Sequence, residues 1–203
     1  SSGVNPKKNT GEHISSKPKQ IWLEQGLTIL EAQGPVALSI DNLASRTKKT
    51  KGSFYHHFKN RKAYIRDLMT YYEQKATVEI ALEVAREDSQ KKRIKKMTEL
   101  VFQLSSSLEL VIRAWALYEP VVRESQDRID RIRLENLEKL YLPAGMTPAE
   151  ARALAYKNYS IYIGIQQLRH LHDTDDITEL LTTIFHHPTL DSQDKPGIHV
   201  EGT

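Results

Sequence analysis

The sequence predicts an all-α protein, with an N-terminal head of three helices and a larger C-terminal helical body. Apolar residues recur at helical spacing through most of the chain, and no segment shows the alternation of a β-strand. Glycine is scarce between the two polar ends of the chain. Residues that favour helix starts or stops separate the periodic segments. Together these segments predict about nine helices.

Polar segments without apolar periodicity lie at both ends of the chain. Residues 1–16 are predicted to form a flexible arm, and residues 188–203, with two prolines and two glycines, a flexible tail. Between them we predict a helix-turn-helix head at residues 17–62 and a body at residues 63–187.

The head contains three short helical patterns. Residues 21–34 form the first pattern, which ends in a glycine, a residue that suits a helix C-terminus. Ser39 is a favourable N-cap for a second helix of about two turns. A polar turn at residues 47–50 leads into the third helix, residues 51–58. A short helix, a tight turn and a second helix form a helix-turn-helix, whose second helix enters the major groove of DNA.

The third helix combines an apolar anchor with a polar surface. Phe54 and Phe58 are four residues apart, so they share one helix face and are expected to pack against the head. The other positions carry lysines, hydroxyl groups and imidazoles, which can bind phosphates or base edges. A solvated basic helix with two core phenylalanines is the alternative interpretation.

The segment 51–60 reads Lys-Gly-Ser-Phe-Tyr-His-His-Phe-Lys-Asn and resembles the DNA-binding motif of TetR-type transcriptional regulators. The pattern at residues 21–34 resembles the first helix of that family, and the detailed similarity covers roughly residues 17–70. In the turn, Thr47, Lys48 and Lys49 replace the family's usual small residue, glycine and aliphatic residue. A glycine there suits a positive φ angle, which Lys48 adopts at some cost.

We therefore predict that the head binds double-stranded operator DNA. The predicted contacts are hydrogen-bonding or cationic groups on or near the third helix, together with a glycine that permits close approach of the backbone. They are Ser39, Thr50, Lys51, Gly52, Ser53, Tyr55, His56, His57, Lys59 and Arg61.

The distribution of charge agrees with a head that meets a polyanion. The chain carries a net charge of +3. Residues 1–69 contain 12 Lys and Arg against 5 Asp and Glu, whereas residues 70–203 contain 17 against 21. A basic head binds DNA mostly through phosphates, so its affinity should fall steeply with salt.

Composition excludes several other classes of protein. No run of 18 apolar residues exists, so no transmembrane helix is predicted, and the N-terminus lacks an apolar signal-peptide segment. The absence of cysteine rules out disulfides and thiolate metal sites. We expect a cytoplasmic protein with no membrane partner, no cofactor and no metal.

The body is predicted to consist of six helices. They span approximately residues 60–88, 91–105, 107–118, 121–141, 148–171 and 176–187. Asn60 is a good N-cap, and Thr147 and Glu150 form a capping box with a proline at the first turn. Pro120 and Pro143 mark breaks between helices.

No catalytic set is recognisable in the body. Three serines at residues 105–107 have no histidine beside them in any pattern, and they suit a helix junction better than a nucleophile. The segment 170–176 contains two histidines and three aspartates. Histidines two apart on a helix point in different directions, so helix caps explain this segment better than a metal site. An enzyme is the third-ranked hypothesis.

The resemblance implies that the body encloses a pocket for a small-molecule effector. The predicted ligand-binding residues are Phe102, Arg113, Trp115, Tyr118 and Tyr162. Each of these aromatic residues could instead belong to the core, and Arg113 could extend to solvent.

The last two helices are predicted to form a dimer interface, as the resemblance also implies. The apolar residues expected there are Ile161, Gly164, Ile165, Leu168, Leu181 and Ile184. The main functional hypothesis is a homodimeric transcriptional regulator, a repressor released by an effector. The runner-up is a helical small-molecule sensor or partner-binding protein whose head touches DNA only nonspecifically, as Lys48 and Lys49 suggest.

Overall fold

The computed structural model describes residues 16–171 and, beyond them, Asp173, Asp176, Ile177, Glu179, Leu180 and Thr183. Eight α-helices and no strand occur in this part of the chain. They are α1 Lys17–Gln33, α2 Ile40–Thr47, α3 Lys51–His57, α4 at residues 61–85, α5 Gln90–Phe102, α6 Ser106–Trp115, α7 Pro120–Tyr141 and α8 Pro148–Leu168. The all-α prediction is confirmed. The predicted arm, the predicted tail and most of the predicted ninth helix lie outside the described residues.

Helix α4 contains a local change of winding. Its α-helical parts, Arg61–Glu73 and Glu79–Ala85, are joined by the π-helical turn Gln74–Val78. Backbone angles at both junctions are right-handed helical, so the chain continues through the turn without a break. A π turn inserts an extra residue per turn and is frequent at functional sites.

The chain divides into two compact units. The first consists of the described residues up to Gln74 together with Ser107–Gln126, and the second consists of Lys75–Ser106 and the described residues from Asp127 onward. The first unit therefore recruits a segment remote in sequence, which the sequence did not indicate. The functional boundaries drawn at residues 17, 62 and 187 stay predictions.

Aromatic side chains from three helices form the core of the first unit. Trp22, Phe54 and Tyr64 are fully buried, and the ring of Phe54 lies 5.5 Å from each of the other two. The Tyr64 hydroxyl donates a 2.8 Å hydrogen bond to the carbonyl of Trp22. Burial raises the pKa of Tyr64 above its usual range, so the phenol stays protonated. This contact fixes α4 against α1.

Helix α8 packs in the second unit through one of its faces. Ala151, Leu154 and Ala155 form a buried cluster with Leu140 and Tyr141 at the end of α7. The helix begins with the predicted capping box, in which the Glu150 N–H donates to Thr147 Oγ1 at 3.3 Å and the Thr147 N–H donates to Glu150 Oε2 at 2.8 Å. Local sequence thus sets the start of this helix.

Within the described residues, no helix has both the length and the apolar character needed to cross a bilayer.

Candidate nucleic-acid interface

Helix α3 is held in the head by two phenylalanines. Phe54 is 0% exposed and Phe58 is 2% exposed, and the ring of Phe58 packs edge-on against Tyr64 at 4.9 Å. Burying a phenylalanine side chain contributes roughly 1.5–3 kcal/mol. The predicted apolar anchor is confirmed, and it leaves the opposite face of the short helix toward solvent.

Each of the three helices that follow α1 begins with a side-chain cap. Ser39, Thr50 and Asn60 accept hydrogen bonds from the backbone N–H three residues on, at distances of 3.1, 3.2 and 2.9 Å. Each cap satisfies a backbone donor that the helix leaves free. The hydroxyl oxygens of Ser39 and Thr50 act as acceptors in these bonds, so their hydroxyl hydrogens can still donate to a phosphate.

The turn between α2 and α3 has the strained backbone that the sequence predicted. Lys48 adopts φ 55° and ψ 38°, and it is the non-glycine residue with a positive φ in the described part of the chain. The Lys49 N–H donates to the Ala44 carbonyl and the Lys48 N–H donates to the Ser45 carbonyl, which is a Schellman motif. Lys48 and Lys49 are both exposed. The turn therefore keeps the usual geometry and adds two positive charges.

The outer face of α3 carries most of the predicted DNA contacts. Lys51, Gly52, His56 and Lys59 are exposed, and Tyr55 is 55% exposed. A Cβ added at Gly52 would meet only ordinary contact, with the Thr50 hydroxyl oxygen at 3.7 Å. Packing within the protein therefore does not require glycine at this position.

Ser53 and His57 are half-buried at the edges of this face. Burial lowers the pKa of His57, and the neighbouring His56 lowers it further. His57 is therefore mostly neutral near pH 7, and one ring nitrogen can accept a hydrogen bond while the other donates.

Lys51 has an acidic partner within the head. Its ammonium lies 2.5 Å from a carboxylate oxygen of Asp41, in the first turn of α2, and both side chains are exposed. The hydrogen bond and the charge of Asp41 raise the pKa of Lys51. Such an exposed pair is weak, so a phosphate can replace the carboxylate at little cost.

Arg61 is already bonded within the head. Its Nε donates to the Leu38 carbonyl at 2.8 Å, and its Nη2 donates to the Pro35 carbonyl at 3.3 Å. These bonds fasten the start of α4 to the 3₁₀ turn Pro35–Ala37. A role in positioning the head accounts for Arg61, and its predicted contact with DNA stays a prediction.

The second unit contains a cavity of about 380 Å³. Its walls come from α4 beyond residue 75, α5, α7 and α8, and they are mainly aliphatic and aromatic. Apolar residues of the wall include Ile80, Val84, Ile94, Met97, Val101, Leu137 and Leu140. A cavity of this size and character is typical of small-molecule sites.

Two of the five predicted ligand-binding residues, Phe102 and Tyr162, line this cavity. Arg113, Trp115 and Tyr118 do not line it, because they belong to the segment that packs in the first unit. Trp115 is buried there, and Tyr118 is 67% exposed. Spacing along the sequence could not reveal this division, since it depends on long-range packing.

The five predicted ligand-binding residues leave out several polar groups of the cavity wall. Asn158 donates from Nδ2 to the hydroxyl of Tyr141 at 2.9 Å, and Tyr159 donates to a carboxylate oxygen of Asp130 at 2.5 Å. Burial raises the pKa of Tyr141, and it raises the pKa of Tyr159 to about 12. Both phenols are therefore neutral near pH 7. The helical spacing of 158, 159 and 162 on α8 was the available signal for this wall.

The apolar residues predicted for the dimer interface form a stripe on α8. Ile161, Gly164 and Ile165 are half-buried, and Leu168 is 51% exposed. The other two predicted interface residues, Leu181 and Ile184, lie outside the described residues. Their role and that of the stripe stay predictions.

In the predicted capping segment after α8, the Asp176 N–H donates to a carboxylate oxygen of Asp173 at 2.9 Å. Among the described residues, no group of three or more His, Asp or Glu side chains is arranged to hold a metal ion.

The first unit contains the predicted helix-turn-helix head, with its buried phenylalanine anchor and exposed polar helix. Residues 23–66 match the family model described as bacterial regulatory proteins, tetR family. The helix-turn-helix segment of the chain therefore matches this family, as the resemblance predicted. No curated protein sequence matches the chain.

Solved structures share the fold over most of their length. A TetR transcriptional regulator from Legionella pneumophila superposes with a TM-score of 0.71 at 15% identity, over 84% of this chain and 98% of that one. Reduced NemR from E. coli superposes with a TM-score of 0.70 at 14% identity, over 83% of this chain and 96% of that one. A TetR transcription regulator from Haloarcula marismortui likewise has a TM-score of 0.70 at 14% identity, over 83% of this chain and 96% of that one. At these identities the likeness establishes the fold alone.

Proposed function

We propose that this protein is a homodimeric, sequence-specific transcriptional repressor that a small molecule in the body cavity releases from its operator. The surface of α3 is the observation that carries the proposal. Phe54 and Phe58 are buried, whereas Lys51, Gly52 and Tyr55 face solvent. This leaves a compact polar helix face with no bulky side chain at its second position. Such a helix fits the major groove, with its first turn near the base edges.

Two kinds of contact follow from the surroundings of α3. Lys48, Lys49 and Lys51 lie around the start of the helix and can neutralise phosphates, and the Thr50 and Tyr55 hydroxyls can donate to phosphate oxygens. These groups position the head without reading sequence. We assign base reading to Ser53, His56 and His57, the remaining polar side chains of α3.

The dimer is proposed from the stripe on α8. Ile161, Gly164, Ile165 and Leu168 follow the spacing of a single helix face, and the buried residues of α8 occupy another face. Among the described residues, no atom lies within 4 Å of a Cβ added at Gly164. Packing among the described residues therefore does not explain a glycine that costs about 1 kcal/mol in a helix. Close approach of the same helix from a second copy explains it.

In such a dimer, the two α3 helices enter successive major grooves, about 34–36 Å apart on one face of the DNA. An effector acts by favouring a conformation with a different separation of the heads. A coupling free energy of about 1–3 kcal/mol changes DNA affinity by one to two decades. This function is regulatory rather than catalytic, and it places the protein in the cytoplasm with its DNA.

The test is selection of bound sequences from a random duplex library, followed by footprinting and a salt titration of the selected site and a scrambled one. We expect a protected pseudo-palindrome, and we expect the selected duplex to bind roughly 10³-fold or more tightly than the scrambled one. An equally steep salt dependence on both duplexes, without a gap, would establish nonspecific binding by the basic head instead.

A further inference from the structure

Two polar atoms in residues that line the cavity have no hydrogen-bond partner within the described part of the chain. Three buried side-chain polar atoms lack a hydrogen bond in the described part of the chain, and two of them, Thr77 Oγ1 and Gln90 Nε2, belong to residues that line the cavity. Thr77 is only 3% exposed. Because a buried polar group without a partner is destabilising, such groups in a cavity indicate a ligand that completes their bonding.

The π turn explains why the Thr77 hydroxyl is free. Other helical threonines, Thr28, Thr47, Thr70 and Thr98, donate to the carbonyl four residues earlier at 2.8–3.1 Å. Thr77 lies within the π turn Gln74–Val78, where the winding differs, and it makes no such bond. The turn thereby leaves one buried hydroxyl unpartnered in a residue that lines the cavity.

The charge of the cavity wall favours an anion. Its lining includes Arg93, Arg133 and Lys139 and no Asp or Glu, and the one carboxylate described beside it, that of Asp130, accepts a hydrogen bond from Tyr159. Arg93 follows Gln90 by three residues and so shares its helix face. The Nη2 of Arg133 donates to the carbonyl of Ala76, the residue before Thr77, at 3.2 Å. Each unpartnered group therefore has a cationic side chain close to it in sequence or structure.

The chemistry of the two free groups also selects an acceptor. The Gln90 amide nitrogen can only donate, and the Thr77 hydroxyl can donate. The rest of the wall is mainly apolar. We propose that the cavity binds an apolar monocarboxylate, whose oxygens accept hydrogen bonds from Thr77 and Gln90. The identification of this carboxylate as the effector rests on the proposed function.

Calorimetric titration of the full chain with decanoate tests the proposal, alongside hexanoate, octanoate and dodecanoate to cover chain length. Decanamide is the matched uncharged probe, because it retains the shape and the carbonyl. We expect decanoate to bind at least about tenfold more tightly than decanamide, since hydrogen bonds to charged groups are the stronger ones. Equal affinities, or no binding of any carboxylate in the series, would overturn the proposal.

Three variants locate the carboxylate. Thr77→Val and Gln90→Leu each remove one free donor and should each weaken decanoate binding about tenfold or more, the effect of one charge-assisted hydrogen bond. Thr98→Val is the control, because Thr98 also lines the cavity but its hydroxyl already donates to the Ile94 carbonyl. Thr98→Val should bind decanoate with an affinity within about twofold of that of the wild type. An equal loss in all three variants would show a general change of shape and contradict the assignment.

The melting temperature of the ligand-free protein separates binding from structure. Thr77→Val removes a buried group without a partner and should not lower the melting temperature. A fall of several degrees would mean that the hydroxyl serves the fold, and the proposed contact would be wrong. Decanoate binding that leaves operator affinity unchanged would refute the effector role and keep the ligand class. Intact operator binding without decanoate binding would refute the ligand class alone.

Discussion

Gly26 and Tyr64 form the tightest contact in the core of the head. A Cβ added at Gly26 would lie 1.9 Å from the Tyr64 hydroxyl oxygen, 3.1 Å from its ring carbon Cζ and 3.2 Å from Leu68 Cδ1. Tyr64 and Leu68 are both 0% exposed, so neither side chain can move into solvent. We therefore expect Gly26→Ala to force the phenol away and break its bond to the Trp22 carbonyl.

The expected loss of stability is the balance of three terms. Overpacking costs about 1–3 kcal/mol, and leaving the buried hydroxyl without its partner costs about 1–3 kcal/mol. Alanine regains about 1 kcal/mol of helix propensity. The free energy of unfolding of the head should therefore fall by about 3 kcal/mol, in contrast to the gain that alanine gives at an exposed helical glycine.

A double-mutant cycle with Tyr64→Phe isolates this contact. Tyr64→Phe alone should cost about 1 kcal/mol, because the Trp22 carbonyl keeps its partner within α1. Phenylalanine removes the 1.9 Å overlap, so Gly26→Ala should cost little in that background. The coupling energy should then be about 2 kcal/mol or more, which is typical of residues in direct contact.

Urea unfolding followed by tryptophan fluorescence provides the assay. Trp22 and Trp115 are the two tryptophans of the chain, and both lie in the first compact unit. A Gly26→Ala protein that is as stable as the wild type would refute the packing argument. Additive effects of the two substitutions would refute the role assigned to the hydroxyl.

Four further predictions concern the head and the dimer. Lys48→Gly should raise the free energy of unfolding by about 1 kcal/mol in urea, because glycine adopts the positive φ without strain. Lys51→Ala should weaken DNA binding and reduce the slope of log affinity against log salt concentration by about one unit. Asp41→Asn should strengthen DNA binding. An unchanged slope in Lys51→Ala would place Lys51 away from the DNA backbone. Tyr55→Phe should weaken binding to all duplexes by a similar factor in anisotropy titrations. A loss of affinity that depends on a single base position would contradict the phosphate contact assigned to the Tyr55 hydroxyl. Gly164→Leu should lower the dimer population in sedimentation while the head stays folded, and a fully dimeric variant would place this glycine elsewhere.

Features that depend on neighbouring residues were readable in the sequence. The caps at Ser39 and Asn60 and the capping box at Thr147 use side chains that bond three residues away. The strained turn at Lys48 followed from a family pattern in which glycine occupies that position. Because these features depend on residues close together in the sequence, the TetR-type head could be recognised from about fifty residues.

The composition of the body cavity could not be predicted in this way. Phe102 and Tyr162 were identified, but Arg113, Trp115 and Tyr118 pack in the other unit. Aromatic residues within an apolar pattern show that a helix face is buried, and they do not show which helix buries it. That choice depends on contacts between segments far apart along the chain.

The sequence by itself determined the helical class, the positions of the helix starts and the polar face of α3, because short-range hydrogen bonds and side-chain periodicity encode them. Only the tertiary structure decided that residues 107–126 join the first unit, that Tyr64 fits against Gly26, and that the π turn leaves Thr77 unpartnered in a cavity. These features arise where the packing of distant segments overrides local preference, since dense packing allows each side chain few positions.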